Sequence, residues 1–305
     1  MKKKIIILSG GYSKERAISL NTGVEVFKSL KKKYKVKLID PKGNLIKELR
    51  NFKPDIVFNA LHGRFGEDGY IQALLEKERI KYTHSGVLSS SISIDKELSK
   101  KIFKKYSILT PKSIKLSNLN NTDIKRLITK IKKKLKFPVV IKPLNEGSSV
   151  GVYICNKNNI KKNLKKLNLY SEILIEKYIP GREIQAAILG KKRIGAIELI
   201  PKRKFYDYKA KYNKNAKTIH IMPANISSKN YKIVNDIAYK AHKLLKCRGV
   251  SRSDFRFYKN KFYLLELNTQ PGMTALSLVP EIAKYKGINF DKLIDILIKD
   301  ASINK

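Results

Sequence analysis

Three oxygen-bearing side chains near the end of the chain are spaced as ligands for a divalent cation. Glu266 and Asn268 lie two residues apart in an apolar run typical of a β-strand, and Asp254 lies in the run before it. If residues 259–261 form a three-residue turn centred on Asn260, Asp254 pairs directly opposite Glu266, with Cβ atoms about 4.5–5.5 Å apart. Two carboxylates this close repel each other unless a cation lies between them. Oxygen ligands without nearby His or Cys favour Mg²⁺ or Mn²⁺ bound together with a substrate phosphate.

The register of this hairpin decides whether the ligand set exists. A two-residue turn would place Glu266 on the other face of the strand, because each one-residue shift exchanges the two faces. Strand alternation also predicts that Leu265 and Leu267 lie on the face opposite Glu266. The alternative to a metal site is a solvated hairpin that carries acidic residues without a function.

The segment EGSSVG at residues 146–151 is a candidate phosphate-binding loop. It lies between two predicted strands and offers backbone N–H groups and two hydroxyls, a composition that can fold over phosphates. Lys142 on the preceding strand would add a positive charge. An ordinary glycine-serine turn is the alternative, and neither the Walker sequence nor G-x-G-x-x-G is present.

Two predicted strand-to-helix loops carry charged residues, GGYSKE at residues 10–15 and HGRFGEDG at residues 62–69. Glu15 would lie in the first turn of a helix, at the carboxyl edge of a parallel sheet, where ligands usually bind. The structural alternative is helix-start chemistry, with Ser13 as the cap and Glu15 interacting with the helix dipole.

The elements that must position these residues follow from periodicity. Strands alternate with helices over the first ~90 residues and predict a parallel sheet covered by helices. One helix is predicted over residues 89–106, and another over residues 124–135, where apolar residues recur at helical spacing. The polar segment 201–217 is too long for an idle connection and is a candidate lid.

Composition bounds the class of protein. The chain has 305 residues, 42% of them hydrophobic, and a formal net charge of +41. Such a charge suits a nucleic-acid-binding protein, but the lysines are spread along the chain among Ile, Asn and Tyr, as an A/T-rich genome would produce. Two cysteines, Cys155 and Cys247, suit a reducing compartment, and no run reaches the ~18 apolar residues of a membrane span. We therefore expect a cytoplasmic protein that binds neither nucleic acid nor membrane.

Seven motifs, in order along essentially the whole chain, resemble those of the D-alanine–D-alanine ligases, which belong to the ATP-grasp group. They are GGYSKERAISLNTG (10–23), HGRFGEDG (62–69), YTHSGVLSSSISIDK (82–96), KPLNEGSSVG (142–151), FYDYKAKY (205–212), RSD (252–254) and ELNTQPGMT (266–274) running into SLVP (277–280). Two positions depart from the family pattern. His84 stands where glycine is usual, and Ser253 replaces an apolar residue between Arg252 and Asp254.

The resemblance implies an α/β protein with the ATP-grasp fold. It predicts an N-terminal parallel α/β domain at residues 1–95 and two α+β domains that clasp ATP, at residues 96–179 and 180–305, the latter with a lid at 201–217. It implies ATP-dependent joining of two D-alanines through an acylphosphate, for peptidoglycan synthesis, in a cytoplasmic homodimer. The alternatives are a depsipeptide ligase that joins D-alanine to D-lactate and, more remotely, a basic nucleic-acid-binding protein.

The resemblance also implies roles for individual residues. Two Mg²⁺ or Mn²⁺ ions would be held by Asp254, Glu266 and Asn268, with Glu266 bridging them. Residues expected to bind ATP are Lys96, Lys142, Ser149, Glu176, Lys177, Tyr178, Ile179, Glu183 and Lys211. Residues expected to act in catalysis are Glu15, Ser148, Tyr212, Arg252 and Gly272. Residues expected to bind the amino acids are Glu15, His62, Tyr206, Lys211, Arg252, Ser277 and Leu278.

Overall fold

A computed structural model describes residues 2–147, 150–201, 218–274 and 277–303, which form three sheets with helices packed against them. The first sheet is parallel, as predicted, with the strand order β2-β1-β3-β4. Its strands are β1 (Lys4–Leu8), β2 (Lys35–Ile39), β3 (Ile56–Asn59) and β4 (Lys81–Tyr82). The helices among them are α1 (Arg16–Leu30), α2 (Leu45–Phe52) and α3 (Tyr70–Lys77). The unbroken apolar run of β1 is fully buried because helices cover both faces of a parallel sheet.

The single helix predicted over residues 89–106 is two helices, α4 (Val87–Ile94) and α5 (Lys96–Lys105). The chain breaks at Asp95, whose backbone is extended (φ −77°, ψ 99°). Its side chain accepts hydrogen bonds from the N–H groups of Glu97 and Leu98, both at 2.9 Å, and so begins a new helix. Lys96 is thereby placed in the first turn of α5, where it is buried.

The second sheet is antiparallel, with the order β5-β8-β6-β7. Its strands are β5 (Ser113–Ser117), β6 (Val139–Pro143), β7 (Tyr153–Cys155) and β8 (Glu172–Lys177). The helices beside it are a 3₁₀ turn (Leu119–Asn121), α6 (Ile124–Lys134) and α7 (Ile160–Lys166). The predicted amphipathic helix is α6, which Asp123 caps and which buries Leu127 and Ile131 against the sheet.

The third sheet is antiparallel, with the order β11-β10-β9-β12-β13. Its strands are β9 (Arg182–Leu189), β10 (Lys192–Ile200), β11 (Ile219–Ile221), β12 (Val250–Tyr258) and β13 (Lys261–Asn268). Its helices are α8 (Ser228–Leu244), α9 (Leu278–Tyr285) and α10 (Phe290–Asp300). One face packs on α8, and the other packs on α9, which shares a core with α10, α1 and β1. This shared core fixes the first sheet against the third.

The β12–β13 hairpin reaches the predicted register by a different route. Its turn has two residues, Lys259 and Asn260, both in the left-handed region (φ 48° and 56°), so the predicted three-residue turn is wrong. A β-bulge at Leu265 inserts one residue between the pairs Phe255–Leu264 and Asp254–Glu266. The bulge compensates for the shorter turn and leaves Asp254 opposite Glu266.

The same bulge corrects the prediction for Leu265. Leu264 and Leu267 are buried in the core, whereas Leu265 is half-buried and lines a cavity beside Glu266. Apart from Pro201, the predicted lid lies outside the described residues. Each helix within the described ranges is too short or too polar to cross a membrane.

Candidate active site

The centre of the site lies on the paired strands β12 and β13. The Arg252 guanidinium forms a bidentate ion pair with Asp254, with Nε 2.8 Å from Oδ1 and Nη2 3.0 Å from Oδ2. Lys96 Nζ lies 3.5 Å from the Glu266 carboxylate and donates to the Glu146 carbonyl oxygen at 2.6 Å. The two opposed carboxylates therefore each face a cation.

Behind this pair lies a buried cluster of three charged side chains, Lys100, Glu176 and Lys142. Lys142 Nζ is 2.9 Å from Glu176 Oε2, and Lys100 pairs with the other oxygen, Oε1. Burial disfavours the Glu176 carboxylate, but the two lysines outweigh it and hold its pKa below the usual range. Burial likewise disfavours charge on Lys142, whose pKa is nevertheless raised by Glu176.

Lys100 was not predicted as a site residue. Burial lowers its pKa from 10.5 to about 8, so it is charged at neutral pH. Lys100 follows Lys96 by four residues on α5, and this spacing places both lysines on one helix face. That spacing was the available sequence signal.

These groups border two neighbouring cavities, a first cavity that Glu15 lines and a second cavity that Lys142 and Glu176 line. Most of the residues predicted to bind ATP line the second cavity, as do Asp254 and Leu265. Glu183 also lies there, with its carboxylate 3.6 Å from Arg256 Nη2. Predicted residues that line it are Lys96, Lys142, Glu176, Lys177, Tyr178, Ile179, Glu183, Asp254 and Glu266.

The first cavity is lined by those described residues that were predicted to bind the amino acids, namely Glu15, His62, Arg252, Ser277 and Leu278. It is also lined by Gly272, predicted to act in catalysis, by Lys96, predicted to bind ATP, and by Glu266 and Asn268, predicted to bind metal. The two cavities share Lys96, Glu146 and Glu266. The predicted residues Ser148, Ser149, Tyr206, Lys211 and Tyr212 lie outside the described residues.

Glu15 is buried between two glycine loops. A Cβ atom on Gly63 or on Gly147 would lie 2.8 Å from Glu15 Oε2, closer than such atoms approach in proteins. Glycine at both positions therefore allows the carboxylate to lie against the two loop backbones. Gly63 also has a positive φ of 71°.

His62 is held by contacts that sequence reasoning did not find. Its Nδ1 lies 3.1 Å from Glu67 Oε1, and its Nε2 lies 3.1 Å from Thr22 Oγ1. Glu67 belongs to the same glycine-rich motif, but Thr22 lies on α1, and only the fold brings it to the ring.

The segment after β13 is tied to the first sheet by a second unpredicted contact. Asn59 Nδ2 donates to Gln270 Oε1 at 2.8 Å, and Gln270 Nε2 donates to the carbonyl oxygen of Leu61. Ser277 Oγ accepts from the N–H of Thr274 at 3.0 Å. These bonds fix Asn268, Gly272 and Ser277 beside the Glu15 loops.

The two departures from the family pattern are accommodated. His84 has a positive φ of 68°, which explains why glycine is usual there, and burial lowers its pKa to about 3, so it is neutral. Ser253 is fully buried on the face of β12 opposite Asp254, away from the cavities.

Comparisons with known proteins match the chain to D-alanine–D-alanine ligases over its whole length. The family profile described as "D-ala D-ala ligase C-terminus" matches residues 102–299, and that described as "D-ala D-ala ligase N-terminus" matches residues 41–85. A protein of Pelagibacter ubique named D-alanine–D-alanine ligase is 63% identical over 100% of both chains. One of Wolbachia pipientis wMel with the same name is 46% identical over 99% of this chain and 95% of its own.

Solved structures agree. The D-alanine–D-alanine ligase from Bacillus anthracis complexed with ATP has a TM-score of 0.84 and 33% identity, and the match covers 98% of this chain and 97% of that one. The VanG D-Ala:D-Ser ligase from Enterococcus faecalis has a TM-score of 0.83 and 27% identity, with 98% and 99% covered. The ATP-grasp architecture predicted from the motifs is confirmed. Since sequence and fold agree over the full length, the chain belongs to the D-alanine–D-alanine ligase family.

Proposed function

We propose that this protein joins two molecules of D-alanine at the expense of ATP, giving D-alanyl-D-alanine for peptidoglycan synthesis. The observation that carries the proposal is the junction of the two cavities at Lys96, Glu146 and Glu266. A nucleotide in the second cavity would place its terminal phosphate where an amino acid in the first cavity presents its carboxylate. Such an arrangement suits phosphoryl transfer, which depends mainly on positioning and electrostatics.

The residues that line the second cavity suit a nucleotide. Lys142 and Lys96 would neutralise phosphate oxygens, and Glu183 would bind the ribose hydroxyls. The backbone of Glu176–Ile179, at the end of β8, would meet the adenine. Ser149 and Lys211 are also proposed to bind the ATP phosphates.

The residues that line the first cavity suit two amino acids. The buried Glu15 carboxylate would bind the first ammonium group, with Ser148 and Tyr212 in support. Ser277 and Lys211 would bind the carboxylate of the second substrate, and Leu278, Tyr206 and His62 would border that subsite. Arg252 and the Gly272 N–H would stabilise negative charge on the reacting oxygens.

The donor set on the hairpin fits a divalent cation. Asp254 and Glu266 are directly opposed, Asn268 follows on β13, and all three offer hard oxygen atoms. We propose that they hold two Mg²⁺ or Mn²⁺ ions, with Glu266 bridging them. Bound there with ATP, these ions would neutralise charge on the transferred phosphoryl group.

The chemistry then requires two displacements. A carboxylate oxygen of the first D-alanine attacks the γ-phosphorus, the bond to the bridging oxygen breaks, and ADP leaves. The amine of the second D-alanine attacks the acyl carbon of the acylphosphate, the amine gives up a proton, and inorganic phosphate leaves with the electron pair of the broken C–O bond. Lys96, Lys142 and Arg252 would stabilise the oxygens on which negative charge grows in these steps.

The second substrate is the finer question, since a structural neighbour of similar fold is titled a D-Ala:D-Ser ligase. Phosphate release from ATP should be measured with D-alanine, L-alanine, D-serine and D-lactate, singly and in pairs. We expect release with D-alanine alone and D-alanyl-D-alanine as the product. Release that requires D-lactate would favour the depsipeptide alternative instead, and no release with any of them would refute the proposal.

Tyr212 is proposed to discriminate between amine and hydroxyl acceptors, because dipeptide-forming members carry Tyr in this motif. Tyr212→Phe should raise ester formation relative to dipeptide formation when D-alanine and D-lactate are supplied together. An unchanged product ratio would refute the assignment.

We further propose that the protein works in the cytoplasm as a homodimer. The cytoplasm supplies ATP and keeps Cys155 and Cys247 reduced; both are free cysteines, and Cys155 is buried. Light scattering after gel filtration should give twice the chain mass of 35.0 kDa. A mass equal to a single chain would refute the dimer and leave the activity proposal untouched.

A further inference from the structure

Gln185 is a buried amide in the wall of the first cavity that none of the roles above uses. It lies in the middle of β9, between Asp254 on β12 and Ile197 on β10, and it is 0% exposed. Neither its Oε1 nor its Nε2 has a hydrogen-bond partner in the part of the chain that the structure describes.

The position of Gln185 separates it from the core residues of the same strand. Ile184 and Ala186, its neighbours on β9, face the core beneath α8. Gln185 faces the other way, into the cavity that Arg252 and Glu266 also line. An unsatisfied donor and acceptor are costly in a dry interior, and an apolar residue would fill this buried position without that cost.

The surroundings of Gln185 indicate the ligand. Its cross-strand neighbour Asp254 is paired with Arg252, and Lys96 and Glu266 lie in the same cavity. In the proposed function this is where the carboxylate and the phosphoryl group meet. Both present anionic oxygen atoms, which are strong acceptors for an amide N–H.

We propose that Gln185 is a catalytic residue whose Nε2–H donates a hydrogen bond to an anionic oxygen of the reacting substrates. This oxygen belongs either to the carboxylate of the first D-alanine or to the phosphoryl group that is transferred to that carboxylate. Gln185 Oε1 accepts from a water molecule held by the same ligand. This proposal rests on the proposed function. It predicts that the amide gains its partners only when substrate is bound.

The test is Gln185→Met, which keeps the length of the side chain and removes both hydrogen-bonding groups. Without ligands, the variant should unfold at the wild-type temperature or above it, because an unpartnered polar group has been removed. Its kcat/KM for D-alanine-dependent phosphate release should fall at least tenfold, which corresponds to about 1.4 kcal/mol of transition-state stabilisation.

Ser253→Ala is the matched control. The Ser253 hydroxyl is also fully buried and unpartnered within the described ranges, one residue from Asp254 but on the other face of β12. This variant should likewise lose no thermal stability, and its kcat/KM should stay within twofold of wild type. A tenfold loss in this variant would show that the assay reports strain in β12, and the proposal would fail.

Ligand-induced thermal shifts identify the oxygen. Magnesium with AMP-PNP should stabilise Gln185→Met less than wild type if the partner is a phosphoryl oxygen, and D-alanine alone should do so if it is the carboxylate. Wild-type kcat/KM in Gln185→Met would overturn the proposal, as would a ligand-free unfolding temperature clearly below wild type, since the amide would then have partners before substrate binds. Wild-type protein without D-alanine-dependent phosphate release would refute the proposed function itself.

Discussion

The buried cluster of Lys100, Glu176 and Lys142 contains one more positive charge than negative charge, and this imbalance makes a testable prediction. Lys142 and Glu176 line the second cavity, and Lys100 is not among the described residues that line it. When ATP draws Lys142 towards a phosphate, Lys100 remains to compensate Glu176. Lys100 should therefore act as a positioning residue that lets Lys142 serve the nucleotide.

The perturbation is Lys100→Met. Without ligand, the variant keeps a balanced Lys142–Glu176 ion pair, so its free energy of unfolding should fall by no more than about 1 kcal/mol. With nucleotide, Lys142 cannot leave Glu176 without abandoning a buried carboxylate, which costs about 3–5 kcal/mol. Because Lys142 can be shared between Glu176 and a phosphate, we expect part of that cost, a rise of about 10- to 100-fold in the Kd for AMP-PNP.

The assay is AMP-PNP binding with magnesium by calorimetry, together with urea unfolding of the ligand-free protein. Glu176→Gln is the control, because it leaves two buried lysines without a counterion and should destabilise the protein by about 3–5 kcal/mol. Wild-type affinity in Lys100→Met would refute the reasoning. So would a loss of stability in Lys100→Met as large as in Glu176→Gln, because Lys100 would then be a structural counterion only.

Three further predictions concern pH, metal and the hairpin. Since burial lowers the pKa of Lys100 from 10.5 to about 8, the unfolded chain binds a proton between these pH values that the folded chain lacks. The contribution of Lys100 to the free energy of unfolding therefore rises with pH across this window. In urea unfolding, the free energy of unfolding of Lys100→Met minus that of wild type should be more positive at pH 7 than at pH 10. Glu266→Gln should nearly abolish ATP turnover and leave the circular dichroism spectrum unchanged; retention of more than roughly a tenth of the rate, a barrier change below ~1.4 kcal/mol, contradicts a bridging role. Lys259→Gly should raise the free energy of unfolding by about 0.5 kcal/mol, because Lys259 occupies a left-handed position (φ 48°) in a two-residue turn, and an unchanged urea midpoint would contradict this.

In the β12–β13 hairpin, the predicted strand pairing is correct although the predicted turn is not. Asp254 was expected to pair with Glu266 if the turn had three residues, whereas the observed turn has two. The observed two-residue turn and the bulge at Leu265 cancel each other in register. A bulge depends on how both strands pack on their neighbours, so the alternation of side chains in one strand cannot reveal it.

Helix boundaries show a second limit. The apolar pattern continues through residues 89–106, so periodicity predicted one helix. Asp95 interrupts it by capping α5, and this local hydrogen bonding outweighs the apolar period.

The sequence by itself determined which chemistry is available to this protein: the order of the motifs, the oxygen ligands on the hairpin and the parallel first sheet. The net charge of +41 could not separate a ligase from a nucleic-acid-binding protein, because charge carries no geometry. Only the tertiary structure decided which groups meet. It placed Lys100 against Glu176, Thr22 against His62, and Gln185 beside Asp254 without a partner of its own in the described residues. Those contacts join residues that are distant in the chain, and their energies depend on burial and on neighbouring charges, which spacing along one strand or helix does not encode.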